Sequence, residues 1–257
     1  MRFFAQRWGS VVVSACALTA ASLCAATPPD YSKEAAVIQE FRQELTFAAD
    51  GTWHFDQSAT IRVQSDAGVR DYGVLTFAYN ADNQAVAVGY VRVRKADGTL
   101  VSTPPDNIQD VSSEISRAAP TYSDLREKQI PVKALSSGDV LDYKVTYIQK
   151  TPEIPGQFWY SENFLAGAVV LKQTLRIAVP ADKYVKVVSP RIKPEVQEAN
   201  GEKIYLWGTA QLEPTAQDEK KKNQTTEPSA VDVQLTTFKS WEELGAGMAL
   251  CRRTVLR

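Results

Sequence analysis

The chain has 257 residues with 29 Lys+Arg against 30 Asp+Glu, a formal net charge of −1. Such a balance lacks the basic face that a nucleic-acid or anionic-membrane binder presents. At 44% hydrophobic and 23% charged residues, it has a globular composition and enough length to bury one large core or two small ones.

The N-terminus carries Arg2 and Arg7, then an apolar run from Val11 to Leu23 that ends in small residues at Cys24-Ala25-Ala26. This order reads as a secretory signal peptide cut after Ala26. The run is about 13 residues, short of the roughly 20 that a membrane-spanning helix needs, and nothing later is long and apolar enough to span. Val13-Ser14-Ala15-Cys16 has the look of a lipoprotein box but sits too early in the run, which leaves lipidation as a minor option. Removing residues 1–26 takes away two arginines and no acid, so 27 basic residues remain against 30 acidic ones, a net of −3. Cys16 and Cys24 leave with that segment. Only Cys251 remains, so the mature chain has no internal disulfide and depends on its core. The expectation is an exported protein, periplasmic or extracellular, that does not span the membrane.

Strand signals then follow in order. Phe41, Gln43, Leu45 and Phe47 alternate with Arg42, Glu44 and Thr46, and Asp50-Gly51 supplies a turn. The return strand places Trp53, Phe55, Gln57, Ala59, Ile61 and Val63 on one face, with His54 on the other. Ser65 to Tyr72 is polar and suits a helical turn. Leu75–Tyr79, Ala85–Lys95 and Thr99–Ser102 read as strands, separated by turns at Asp82-Asn83 and Asp97-Gly98. Leu125 to Leu135 contains Pro131 and reads as an edge strand or irregular arm leading to the turn Ser136-Ser137-Gly138-Asp139. Beyond that turn Leu141, Tyr143, Val145 and Tyr147 alternate cleanly with Asp142, Lys144 and Thr146. The other strands are expected to be arranged around this one.

A proline-punctuated loop, Thr151 to Gly156, precedes the aromatic patch Phe158, Trp159, Tyr160 and Phe164, which suits either a plug over the core or a ligand platform. Leu171, Gln173, Leu175, Ile177 and Val179 form a strand ending at Pro180. Val185–Val188 and Lys203–Gln211 add two more, the second entered through Asn200-Gly201. Glu213 to Ala230 has no large apolar residue, and its Lys220-Lys221-Lys222 run is flanked by acids, so it reads as a solvated loop. Asn223-Gln224-Thr225 matches a glycosylation sequon that matters only in a eukaryotic secretory pathway. Val231–Phe238 returns as a strand, and Ser240-Trp241-Glu242-Glu243 is a capping box that opens a helix. The plan is therefore a signal peptide at 1–26, a β-sandwich domain at 27–212, a mobile linker or loop at 213–230, and a final strand, short helix and irregular tail at 231–257. The fold class is all-β: a large antiparallel β-sandwich with long hairpins and one short C-terminal helix.

Catalytic machinery is sparse. His54, the single histidine, lies on a polar strand face, and Cys251 lies in the tail, so a Cys–His nucleophilic pair is not expected. One histidine and one cysteine do not make a zinc site. Neither a glycine-rich phosphate loop nor a nucleophile elbow is present. Asp139 and Asp142 read as a turn acid and an outward strand acid, solvated rather than paired for glycosidase chemistry. No catalytic, cofactor-binding or metal-binding residue is assigned, no cofactor is expected, and ligand-binding residues are left open.

The order Asp50-Gly51, Asp97-Gly98-Thr99, Tyr122-Ser123-Asp124-Leu125-Arg126, Gly138-Asp139-Val140-Leu141-Asp142-Tyr143, Pro180 and Ser240-Trp241-Glu242-Glu243-Leu244 resembles a known family over roughly residues 31–244. That family is the domain of unknown function found N-terminal to transglutaminase-like domains in exported bacterial proteins. The resemblance implies a β-sandwich, a bacterial envelope or secreted setting, and a downstream Cys-His-Asp domain of papain-like logic. Gly245 to Arg257 departs from the family pattern, which suggests a truncated or frame-shifted reading frame, and no triad residue carries over. Three functions follow: an exported non-catalytic module that binds or positions a protein or envelope polymer; the accessory domain of a transglutaminase-like cysteine enzyme; or a glycan-binding module using Trp159.

Overall fold

Alternating segments become strands almost everywhere, and the computed structural model arranges them as one broad sheet whose inner face is covered by two small ones. Residues 30–118, 124–213 and 231–247 are described. The expectations for the signal segment, for Lys220–Lys222, for the Asn223 sequon and for Cys251 fall outside them.

In chain order the elements are β1 (Ala36–Phe47), β2 (Trp53–Val63), α1 (Asp66–Tyr72), β3 (Val74–Asn80), β4 (Gln84–Arg94), β5 (Leu100–Ser102), β6 (Gln109–Ser112) and α2 (Glu114–Ala118). They continue with β7 (Leu125–Pro131), β8 (Val140–Gln149), β9 (Trp159–Glu162), β10 (Val169–Pro180), β11 (Lys186–Val188), β12 (Glu195–Ala199), β13 (Glu202–Gln211) and β14 (Val233–Thr236). A last helix, α3, covers residues 241–247. Its capping box forms: Ser240 Oγ accepts from Glu243 N, while Glu243 Oε2 accepts from Lys239 N.

The broad sheet has the order β12-β13-β10-β1-β2-β8-β4-β5, and the small sheets are β11-β14-β9 and β3-β7-β6. The fold is all-β, and every pairing between these strands is antiparallel except one. At the centre β1 runs parallel to β10, with Phe41 beside Gln173 and Leu45 beside Ile177. The long hairpin of β1 and β2 is present, and β8 lies between β2 and β4.

Two expectations need correction. The Leu125–Pro131 segment is the centre of a small sheet, paired with β3 along its length and with β6 from Gln129 to Arg126. Proline is tolerated there because Val132 N donates to Gly73 O on the β3 side. The Pro131 nitrogen thus faces the β6 side, where pairing has stopped. The turn after β7 crosses from one layer to the other, and reciprocal bonds between Val63 and the Gly138-Asp139 backbone pin it to the end of β2. On β10, Leu171 is exposed and Val170 takes the inward place, because a register shift between Val170 and Gln173 moves the phase.

Both apolar clusters lie on the inner face of the broad sheet. Phe41, Ile61, Val93, Leu141 and Val145 pack beneath β3 and β7. Leu45, Leu175, Ile177, Trp207 and Leu235 pack beneath β9, β14 and β11. Between them, at adjacent inward positions of β1 and β10, sit the buried amides of Gln43 and Gln173.

One carboxylate fastens β6 to its neighbours. Asp110 accepts from Lys128 Nζ (2.6 Å), Tyr79 Oη (2.7 Å) and Arg126 Nε (2.8 Å). Burial pushes its pKa up, but these three donors outweigh burial and bring it down to about 2. The stabilisation is complete above the ordinary carboxylate range and is lost as pH falls toward 2. Asp110→Asn is expected to cost on the order of 1 kcal/mol in urea unfolding at pH 7, after allowance for solvent screening. That difference should shrink between pH 4 and pH 2; a deficit that does not vary with pH would contradict this role.

Candidate functional site: an aromatic cleft at one end of the sandwich

The β1–β2 turn is rigid for local reasons. Asp50 Oδ1 accepts from both the backbone N and the Oγ1 of Thr52, at 2.9 and 2.7 Å, and Gly51 adopts φ +94°. A Cβ on Gly51 would lie 2.7 Å from the carbonyl oxygen of Gln157, so only glycine permits the approach. Gly156 N in turn donates to Asp50 O at 2.7 Å, and the 151–157 loop is held against the turn.

Between that loop, the ends of β1, β2 and β8, and the strand β9 opens a cleft of about 160 Å³. Phe47 and Phe158 form its base, stacked at 4.1 Å between ring centroids. Trp53, Phe55 and Tyr160 line it further, with Trp159 and the exposed Glu153. Trp159 is 41% exposed and leans on Phe238 at 5.8 Å. Two amides complete the lining. Gln149 Nε2 donates to Thr151 O (2.8 Å) and its Oε1 accepts from Gln84 Nε2 (3.0 Å). Gln157 Nε2 donates to Glu243 Oε1 (3.3 Å) and its Oε1 accepts from Thr237 Oγ1 (2.5 Å).

Behind the cleft, Tyr160 Oη donates to Glu162 Oε2 at 2.7 Å. Burial, with the neighbouring Glu162 carboxylate, holds the Tyr160 phenol protonated well above its usual range. Burial likewise raises the pKa of Glu162, and the nearby Asp232 adds to the rise against hydrogen bonds from Tyr160 and Gln43. Asp232 itself is almost fully buried. It pairs with Arg191 and accepts from Phe164 N at 3.0 Å, which anchors the start of β14 to two loops.

The aromatic patch read from the sequence thus divides. Phe158 plugs the second core, Tyr160 and Phe164 pack against it, and Trp159 stays open to solvent. Trp53, Gln149 and Gln157 join the site through the fold, and only Trp53, directly after a turn, carried a local signal. His54 is exposed on the opposite, outer face, with Nε2 3.4 Å from Asp56 Oδ1. The two acids expected to be solvated are instead buried and paired. Asp139 binds Lys95 Nζ at 2.5 Å and Ser136 N at 2.8 Å; Asp142 binds Thr60 Oγ1 at 2.8 Å and Arg94 Nη2 at 3.1 Å. The outer face also carries a polar groove of about 320 Å³, bordered by Arg42, Glu44, Asp56, Tyr90 and Lys144. Among the described residues, no group of three or more His, Cys, Asp or Glu side chains is placed to hold a metal ion, and no helix is long and apolar enough to cross a membrane.

These features define an all-β sandwich with a divided covering layer and an aromatic cleft at one end. The chain belongs to the family described as Domain of Unknown Function with solved-structure structure (DUF3857), which matches residues 49–216. No curated protein matches it. Its fold is similar to part of a putative protease from Parabacteroides distasonis, with a TM-score of 0.69 and 19% identity over 81% of this chain and 41% of that one. An M1 zinc metallopeptidase from Deinococcus radiodurans aligns at 14% identity over 68% of this chain and 39% of its own, with a TM-score of 0.36. The chain spans about two fifths of the length of both structures.

The raised pKa of Glu162 gives a pH test. The folded state favours the protonated acid, so that contribution is present below the ordinary glutamate pKa of 4.5 and is lost as pH rises through the raised value. Glu162→Gln keeps an acceptor for Tyr160 and removes the charge. It should raise the unfolding temperature at pH 7 and leave it unchanged near pH 4; an equal effect at both values would contradict the assignment.

Proposed function

We propose that this chain is an exported, non-catalytic β-sandwich module that binds or positions a protein or envelope polymer through the aromatic cleft. The observation that carries this reading is the cleft itself: stacked aromatics on a rigid turn, with a polar lining of two amides and one carboxylate rather than a nucleophile and its base. Export rests on the cationic, apolar and small-residue order of the first 26 residues. The purified protein should co-sediment with envelopes of a Gram-negative bacterium and show no thiol-dependent amidase or cross-linking activity. Activity abolished by Cys251→Ala would overturn the reading.

A second reading, the accessory domain of a transglutaminase-like cysteine enzyme, is supported by the sequence motifs and by the likeness to part of a longer putative protease. Intact mass from native cells separates the two. A mass at or below the 28.4 kDa of this chain favours the free-standing module, and a substantially larger one favours the accessory domain.

A further inference from the structure

We propose that the aromatic cleft holds a single sugar ring of a neutral glycan chain, an assignment that rests on the binding-module reading above. Size limits the ligand first. At about 160 Å³ the cleft is smaller than the roughly 300–1,000 Å³ of sites that enclose drug-sized molecules, so it takes one ring while the rest of a polymer runs past in solvent.

The lining selects the chemistry of that ring. Trp53 and Trp159 offer indole surface, and Trp159 is both exposed and braced by Phe238. The C–H face of a pyranose covers such a surface, while its rim of hydroxyls needs partners that donate and accept. Gln149 and Gln157 supply them. Each amide is fixed by one bond at its nitrogen and one at its oxygen, and an amide has two donor hydrogens and two acceptor positions. Each therefore keeps one donor hydrogen and one acceptor position beyond those bonds, on a side chain already held in place, so a hydroxyl can be bonded at little cost for ordering the amide.

Other ligands fit less well. An apolar peptide side chain would cover the aromatics but leave the spare amide groups facing nothing that can bond them. A nucleotide would stack, yet its phosphates would meet Glu153 in a lining that holds no cation.

The test uses the whole purified protein, titrated with soluble tetramers of β-1,4-linked N-acetylglucosamine, β-1,4-linked glucose and α-1,4-linked glucose, followed by tryptophan fluorescence and calorimetry. At least one should bind, and Trp159→Ala should weaken it by about tenfold or more with the unfolding temperature unchanged. His54→Ala, on the opposite face, should leave binding intact. Failure of all three sugars to bind at millimolar concentration, or equal binding by Trp159→Ala, overturns the glycan assignment. Envelope co-sedimentation in parallel keeps the two claims apart. If sugars fail but co-sedimentation persists and is lost with Trp159→Ala, the cleft serves a protein partner. If co-sedimentation is also absent, the binding-module reading falls with the glycan assignment.

Discussion

The fold depends on a polar contact in the middle of an apolar surface. On the inner face of the central parallel pair, Gln43 of β1 and Gln173 of β10 are buried among aliphatic and aromatic neighbours, where an unpartnered amide would be costly. Gln173 Oε1 therefore accepts from Leu165 N at 3.1 Å, and its Nε2 reaches Gln43 Oε1 at 3.5 Å. These bonds draw the β9–β10 connection down onto the sheet and separate the two apolar clusters. The covering layer accordingly comes as two three-stranded sheets. At the start of β2 and the end of β8, beside β9, the inner face is left partly open, and the aromatic cleft lies there.

Much of this was legible in the chain because alternation is local. The inward rows of β1, β2 and β8 match the pattern read from the residues, the glutamines included. Turns assigned from Asp-Gly, Asn-Gly and Ser-Gly pairs coincide with positive φ at Gly51, Gly98, Gly138, Asn200 and Gly201. Other features leave no local trace. The β1–β10 pairing joins segments more than a hundred residues apart, and nothing in either strand announces its partner's direction. All five residues of β12 are exposed and none of the four in β6 is fully buried, so no buried face imposed an alternation on either. Bulges at Val88/Tyr90 and Val170/Gln173 shift the phase within single strands. Of the cleft, only the run Phe158 to Tyr160 was contiguous enough to be seen.

The charges show the same limit. Asp139 and Asp142 occupy positions that a strand pattern assigns to water, yet Lys95 comes over the first while Arg92 and Arg94 from the neighbouring strand cover the second. Across the outer face, Glu40 meets Arg42 and Lys172, and Asp56 meets Lys144. That surface largely satisfies its own charges. The cleft differs: its aromatic surface is exposed, and its amides are fixed with capacity to spare.

The most direct test of this account is a ¹H–¹⁵N spectrum of the protein, read at the indole N–H signals while a bound oligosaccharide is titrated in. The account predicts that Trp53 and Trp159 shift, while Trp207, fully buried and bonded to Ser189 and Ile192, and Trp241, 84% exposed on α3, stay in place. Shifts confined to Trp241, or spread equally over all four, would contradict it.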